Sequence, residues 1–195
     1  VPVTVNTDGK VVTAAGGAES VIAGIVTAAR RYDLDVIALQ EATPRKHVME
    51  AVRRLGWQVR WFRGAWTGDG WRQGFPGAIL TRLPILESRD RPDLDPYSSD
   101  DAFSRTFGEV VINYNGKRVV LMTVHLLPSW KNTTSIRLRE IAAVERATQR
   151  HRKRNLSVIV MGDANHQPAT PEYEAWVRAG FTDSYLASGG DPVGG

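Results

Sequence analysis

The chain has 195 residues, of which 42% are hydrophobic and 24% are charged, a globular composition that excludes disordered and collagen-like chains. It contains no cysteine, which excludes disulfide scaffolds, cysteine-based zinc sites and thiol catalysis but leaves both secretion and the cytoplasm open. Lysine and arginine number 25 against 21 acidic residues, and the net charge of +4 favours an anionic partner. No apolar run approaches the ~18 residues of a membrane span, so we expect no transmembrane segment.

Strand and helix patterns alternate along the first half of the chain. Short apolar or alternating runs predict strands at Val3–Val5, Asp35–Leu39, Trp57–Arg63, Ala78–Thr81 and Ile85–Ser88. Two helices are predicted, one from a Ser20 cap to about Tyr32 and one opened by Thr43-Pro44 and ended by Gly56. Glycine and proline content predicts loops at Gly64–Phe75 and Arg91–Ala102.

The second half contains the clearest local signal, an Asn115-Gly116 pair between two β-rich runs. Because both residues of a tight hairpin turn need positive φ, this pair predicts a hairpin of Phe107–Tyr114 and Val119–Leu126. The remaining predicted elements are a helix at Ser135–Arg154, a buried strand at Ser157–Met161, a helix from Thr170-Pro171 to Gly180 and a strand beginning within Phe181–Tyr185.

This mixture of strands, hairpins and helices predicts a layered α/β or α+β domain with central sheets and outer helices. Hairpins do not suit a purely parallel dinucleotide-binding sheet, and no glycine-rich phosphate loop follows the first strand.

Polar residues follow two of the predicted buried strands. Glu41 follows the first, and Asp163 and Asn165 follow the second at a spacing that points both to one side of an extended segment. They could converge on one water, metal or phosphate oxygen, or they could be ordinary turn residues and a helix-capping acid. His125, between apolar neighbours, reads by itself as a core histidine.

The order of these motifs adds a second argument. Leu39-Gln40-Glu41, Gly77–Ile85, Thr123–Leu126, Gly162–Asn165 and Phe181–Ser184 occur in the order of the endonuclease/exonuclease/phosphatase superfamily, which the chain resembles from about Val3 to Tyr185. The resemblance implies a four-layer sandwich of two mixed β-sheets flanked by helices, with an active site at one edge of the sandwich. We therefore expect residues 1–195 to form a single domain of this type.

The resemblance also implies roles for individual residues. Glu41 matches a metal-binding glutamate, and Asn6 matches the asparagine that supports the metal site, although Asn6 could equally form a turn before Asp8-Gly9. His125 matches the histidine that contacts the scissile phosphate, Asp163 the acid that orients or deprotonates the attacking water, and Asn165 the residue that holds the phosphate. Glutamate and asparagine oxygens suit a hard cation, so the expected cofactor is Mg²⁺ or Mn²⁺.

One part of the superfamily pattern is missing. The resemblance implies a further C-terminal segment with an Arg-Ile-Asp-Tyr-Ile strand and a Ser-Asp-His motif, which supply an acid and the principal catalytic histidine. Neither motif occurs, and none of His47, His125, His151 and His166 follows Ser-Asp. We expect the domain to be incomplete at its C-terminus and the C-terminal strands to be missing from this chain.

The expected function is a metal-dependent phosphodiesterase that hydrolyses its substrate by in-line attack of water, with nucleic acid as the preferred partner. Trp71 and Arg72, Trp130 and His166 could contact substrate, or they could be ordinary loop residues. The alternatives are a phospholipase C-like enzyme of the sphingomyelinase type, a phosphomonoesterase, or a non-catalytic relative that acts as a binding module. The oligomeric state is left open.

Overall fold

The computed structural model describes residues 17–64, 74–90, 103, 105–128 and 133–190, together with the backbone of residues 3–6. Its strands are β1 (Val3–Asn6), β2 (Val36–Gln40), β3 (Gln58–Phe62), β4 (Gly77–Thr81), β5 (Ile85–Asp90), β6 (Thr106–Tyr114), β7 (Lys117–His125) and β8 (Ser157–Asp163). Its helices are α1 (Gly17–Arg31), α2 (Arg45–Leu55), α3 (Thr134–Arg152), α4 (Pro171–Arg178) and the short α5 (Ser184–Ala187). The predicted loops at Gly64–Phe75 and Arg91–Ala102 lie largely outside the described residues.

The strands form two mixed sheets of four strands each. The first sheet has the order β1-β2-β4-β3, with β1 parallel to β2 and the other pairs antiparallel. The second sheet has the order β5-β6-β7-β8, with only β7 and β8 parallel. The two parallel pairs allow the ends of β1 and β2, and those of β7 and β8, to lie side by side.

Three apolar clusters separate the layers. One packs α1 and α2 onto the first sheet through residues such as Ile25, Leu39 and Val48. Another packs α3 and α4 onto the second sheet, and the third, which includes Phe62 and Leu121, lies between the sheets. The predicted four-layer sandwich of two mixed sheets flanked by helices is therefore confirmed. None of the described helices combines the length and hydrophobicity needed to cross a bilayer.

The β6–β7 hairpin forms as predicted. Asn115 and Gly116 have φ of 50° and 79°, the positive values that the turn requires. From this turn the antiparallel register runs without interruption to the pair Thr106–His125. The turn thus fixes which residue of β6 lies beside His125, at the far end of the hairpin.

Several predicted boundaries are wrong. Helix α1 begins at Gly17, so Ser20 lies inside it, and Glu19 occupies the first turn, where a negative charge complements the helix dipole. Helix α2 begins after Pro44, which is itself the N-cap residue, and the Thr43 side chain provides no cap.

The predictions near the C-terminal end of the described chain also need correction. The strand predicted within Phe181–Tyr185 is helix α5 instead, because the Asp183 side chain accepts hydrogen bonds from the amides of Tyr185 and Leu186 and caps a helical turn. Strand β8 forms but is not fully buried, and Ile159 is 40% exposed, because β7 is its only partner among the described strands.

Candidate active site

The ends of three strands bring the predicted site residues together. The parallel register of β7 and β8 pairs His125 with Asp163 at the last rung of the second sheet. In the first sheet Asn6 pairs with Gln40, the residue before Glu41. The buried side chain of Gln40 donates a hydrogen bond to Thr123 Oγ1 at 3.1 Å, which joins β2 to β7 directly. The packing of the two sheets therefore positions Glu41 beside the end of β7.

The side chains at this edge lie within contact distance of one another. His125 Nε2 is 3.9 Å from Glu41 Oε1 and 3.8 Å from Asp163 Oδ2. The His125 side chain is 2% exposed, whereas those of Glu41 and Asp163 are 27% and 37% exposed. The arrangement is a buried imidazole between two carboxylates that both reach the surface.

Arg105 is a member of this cluster that sequence reasoning missed. Its Nη1 lies 3.2 Å from Glu41 Oε1 and 3.5 Å from His125 Nε2, and its guanidinium carbon lies 3.5 Å from the centre of the Phe75 ring. Only 6% of its side chain is exposed. Arg105 immediately precedes β6, so counting outward from the Asn115-Gly116 turn to the pair Thr106–His125 places it beside the histidine.

The environment of His125 keeps its imidazole neutral. Burial and the positive charge of Arg105 lower the pKa of His125 to about 3. The imidazole is therefore uncharged near neutral pH, and Arg105 supplies the positive charge at the centre of the cluster.

The backbone around Asp163 is specialised. Gly162 has a φ of 142°, and a Cβ there would lie 1.9 Å from the carbonyl oxygen of Val124, so the close approach of β7 and β8 requires glycine at this position. Asn165 donates its backbone N–H to Asp163 Oδ1 at 2.9 Å and its side-chain amide to the Leu126 carbonyl at 2.8 Å. These two bonds fix the Asp163 carboxylate against the end of β7.

A concavity of about 680 Å³ opens beside Asp163 and Asn165, and its lining includes Gln40 and His166. His166 Nε2 accepts a hydrogen bond of 3.0 Å from Trp176 Nε1 of α4, which orients the imidazole at the rim. His166 thus lies on the same surface as Asp163 and Asn165. Of the five predicted catalytic and metal-binding residues, Asn6 is described by its backbone alone.

A buried ion pair supports one wall of this concavity. Arg137 of α3 donates to Glu172 Oε1 at 2.9 and 2.6 Å, and both side chains are almost fully buried. The same guanidinium donates to the carbonyl oxygens of Leu127 and Pro128. Burial acts to raise the pKa of Glu172, but hydrogen bonds to its carboxylate, including those from Arg137, hold the pKa below its ordinary value. This pair anchors the segment after β7 to the start of α4.

The donor chemistry at the edge fits a hard divalent cation. Glu41 and Asp163 carboxylate oxygens both lie within 4 Å of the same histidine nitrogen. Mg²⁺ is commonly bound by one or two carboxylates and completes its coordination with water and substrate oxygens. Within the described ranges, no group of three or more acidic, histidine or cysteine side chains is arranged to hold a metal ion. The described residues thus offer two carboxylates, and an ion held there would need water, substrate or further protein oxygens to complete its coordination.

Three of the four predicted substrate contacts lie outside the part of the chain that the structure describes. These are Trp71, Arg72 and Trp130, and their proposed contacts stay predictions.

The comparisons with known proteins agree with this architecture. Residues 3–194 match the Endonuclease/Exonuclease/phosphatase family, and the chain belongs to that family. No curated protein sequence matches the chain.

Three solved structures illustrate the similarity. A family protein from Bacteroides thetaiotaomicron is 20% identical, with a TM-score of 0.69 over 95% of this chain and 70% of that one. TDP2 from D. rerio, solved with a single-strand DNA product, is 22% identical, with a TM-score of 0.65 over 94% of this chain and 65% of that one. Beta toxin from Staphylococcus aureus, solved with bound magnesium ions, is 16% identical, with a TM-score of 0.65 over 91% of this chain and 69% of that one. At these identities the likeness shows the shared fold.

Proposed function

We propose that this protein is a metal-dependent phosphodiesterase that prefers nucleic acid. The observation that carries the proposal is the cluster of Glu41, Arg105, His125 and Asp163, which joins two carboxylates, one guanidinium and one neutral imidazole at a single edge of the sandwich. Phosphodiesters resist hydrolysis because their negative charge repels a nucleophile. A site for this reaction therefore needs positive charge for the phosphate and a carboxylate for the water, and the cluster contains both.

In the proposed reaction Asp163 orients the attacking water and accepts its proton. The carboxylate is suited to this because Asn165 fixes one of its oxygens while the side chain remains partly exposed. Arg105 balances negative charge on the phosphate, and His125 is the proposed histidine contact to the scissile phosphate. Asn165 holds the phosphate from the side of the concavity.

Glu41, with Asn6 beside it in the β1–β2 register, is the proposed ligand for Mg²⁺ or Mn²⁺. The chemistry that such an ion supplies when bound is neutralisation of the charge that develops on the phosphate and on the leaving oxygen. Arg105 contacts the same carboxylate, so its guanidinium holds Glu41 Oε1 toward the centre of the cluster.

The substrate class rests on charge and on similarity. The net charge of +4 favours a polyanion, and TDP2 from D. rerio, a protein of the same fold, was solved with a single-strand DNA product. These observations support a nuclease over the phospholipase C-like and phosphomonoesterase alternatives.

The proposal is tested with the full-length protein, including the C-terminal segment that the resemblance implies, because that segment is expected to supply the principal catalytic histidine. The protein is incubated with plasmid DNA and with a small chromogenic phosphodiester, with Mg²⁺ or Mn²⁺ and with a chelator. We expect hydrolysis of both substrates with metal and none with the chelator. Failure to cleave either substrate at any metal concentration would remove the phosphodiesterase assignment.

A substrate panel separates the alternatives. Hydrolysis of phospholipid vesicles without cleavage of DNA would assign a phospholipase C-like enzyme of the sphingomyelinase type. Hydrolysis of phosphomonoesters alone would assign a phosphatase, and binding of DNA without any hydrolysis would assign a binding module.

A further inference from the structure

A second concavity lies on the outer face of the second sheet, away from the candidate active site. It has a volume of about 380 Å³ and lies between the β5–β6 edge and the C-terminal end of α3. Arg89 of β5, Arg150 near the end of α3 and Arg154 just beyond that helix line it, together with the buried pair of Glu109 and His151. Three arginines from two separate elements thus meet at one depression.

The three guanidiniums are exposed and have no acidic partner among the residues that the structure describes. Arg89, Arg150 and Arg154 form none of the ion pairs within 4.0 Å, unlike Arg53, Arg82 and other surface arginines of the chain. A cation at a helix C-terminus is favoured by the helix dipole, which accounts for Arg150. That explanation does not extend to Arg89, which lies on a strand of the opposing wall.

The acidic residues of the same concavity have partners of their own. Glu87 is ion-paired with Arg118, and Glu109 Oε2 lies 3.1 Å from His151 Nε2 at the buried base. The charge of Glu87 is therefore balanced by Arg118, and Glu109 is held at the buried base by its contact with His151. Three arginines against the one remaining carboxylate leave the rim with a positive charge. Arginine is the cation best suited to phosphate, because its planar fork donates two parallel hydrogen bonds.

The concavity is separated from the candidate active site in two ways. Glu109 lies three residues along β6 from Thr106, the partner of His125, which corresponds to roughly 10 Å along the strand. Glu109 also lies on the opposite face of the second sheet from His125. Its neighbour on β7, Met122, belongs to the apolar cluster that packs α3 and α4 onto this sheet, whereas Thr123, two residues before His125, contacts Gln40 in the other sheet. A small phosphodiester could not reach both places, whereas a polymeric strand could.

We infer that this concavity binds backbone phosphates of a polynucleotide whose scissile bond lies in the candidate active site. The inference rests on the proposed nuclease function and extends it, since it makes the substrate a polymer that is held at a second, non-catalytic place. Contacts to phosphates carry no sequence information, so the site would add affinity and orientation without base preference.

The experiment measures binding of an end-labelled single-stranded oligonucleotide by fluorescence anisotropy, in chelator so that nothing is cleaved. The full chain is compared with a variant in which Arg89, Arg150 and Arg154 are changed to Gln. A matched control changes the exposed Arg31, Arg60 and Arg178 to Gln, which removes the same charge from other surfaces. Thermal melts of both variants establish that they are folded.

We expect the affinity of the concavity variant to fall about tenfold or more at low salt. The slope of log K against log salt should decrease by about 2, since each contact with a single strand contributes about 0.7. The control variant should retain most of its affinity and its slope. Equal losses in the two variants would overturn the inference, because net charge alone would then explain binding, and so would absence of binding by the parent chain.

Inorganic phosphate distinguishes a polymer site from a site for a free anion. If phosphate raises the melting temperature of the parent but not of the concavity variant, while both bind the oligonucleotide equally, the inference is overturned. Metal-dependent hydrolysis of a small phosphodiester by the full-length protein, with its expected C-terminal segment, reports separately on the proposed function. The two proposals can therefore fail independently.

Discussion

Asp163 is the side chain whose replacement tests the proposed chemistry most directly. Asn165 donates its backbone N–H to Asp163 Oδ1, and an asparagine at position 163 could accept the same bond through its own Oδ1. In the full-length protein that carries the expected C-terminal segment, we therefore expect Asp163→Asn to preserve the fold and to lower kcat by about 10²- to 10⁴-fold, since it removes the base that accepts the proton of water.

The measurement is steady-state hydrolysis of DNA or a small phosphodiester with saturating metal, accompanied by a thermal melt. Retained specific activity together with a melting temperature as low as that of a core variant would contradict the proposed role of Asp163.

The low pKa of His125 predicts that the free energy of unfolding decreases in acid. Because burial and Arg105 lower its pKa to about 3, the folded chain excludes a proton that the unfolded chain takes up below about pH 6.5. The stabilising contribution of the neutral imidazole is complete above that pH. As the pH falls from about 6.5 toward 3 it should decrease by up to about 1.4 kcal/mol per pH unit.

Urea unfolding of the parent and of His125→Asn, from neutral to acidic pH in chelator, measures this term. The free energy of unfolding of the parent should fall more steeply with acid than that of the variant. Parallel pH profiles would show that His125 takes up its proton equally in both states.

The sequence predicts most of the residues in the candidate site but not Arg105. The resemblance placed Glu41, His125, Asp163 and Asn165 at one edge, and the described side chains do lie together there, although their roles stay predictions. Arg105 is not predicted because the family resemblance is carried by acids and histidines at strand ends, and no arginine belongs to those motifs. Its position follows from the hairpin register, but its turn inward under the Phe75 ring depends on packing that local pattern does not encode.

At the scale of elements, the β7–β8 pair depends on Gly162. An alanine at this position would place its Cβ 1.9 Å from the Val124 carbonyl oxygen, at a φ of 142° that other residues rarely adopt. We expect Gly162→Ala to cost at least about 3 kcal/mol and to displace Asp163 from His125.

Gly116→Ala is the matched control, because Gly116 also has positive φ but nothing lies within 4 Å of the added Cβ. It should cost about 1 kcal/mol, the ordinary penalty of a left-handed residue. Chemical denaturation of both variants gives the comparison, and equal destabilisation would mean that the close contact at Gly162 relaxes without cost.

Element types were predicted better than element ends. Asn115-Gly116 and Gly56 act through their own positive φ, and Thr170 acts through its side chain, which accepts a hydrogen bond from the Tyr173 amide. Local sequence therefore determines all three. The start of α1 and the helix at Ser184–Ala187 were missed because capping competes among several polar residues. The partial exposure of β8 was missed because its apolar run does not reveal whether one or two strands flank it.

At the scale of the whole molecule, the cluster between the two sheets joins the halves of the chain. Phe62 of the first sheet is 2% exposed and packs over Gly108 of the second, where an added Cβ would lie 2.1 Å from its ring. Layer order came from the family resemblance, since periodicity alone gives strands and helices but does not say which sheet faces which. The interface between the sheets is therefore the part of the fold that local sequence patterns do not specify.

We expect Phe62→Ala to lower the free energy of unfolding by about 3–5 kcal/mol. Because Phe62 packs between the sheets, both sheets should be destabilised by the same amount. Amide hydrogen exchange at Ile37 of β2 and Leu121 of β7 measures each sheet separately, because the slowest amides exchange through global unfolding. Loss of protection in the first sheet alone would show that the two sheets unfold as independent units.

The shared last rung of β7 and β8 has a consequence for how this chain can vary in length. Side chains alternate between the two faces of a strand, so inserting or deleting one residue within either strand would turn His125 or Asp163 to the opposite face. The connection between these strands runs through α3 and does not set their pairing, so the same insertion in a surface turn there costs only loop entropy, which grows slowly with length. Homologous chains should accordingly differ in length in their connections while keeping both strands free of gaps.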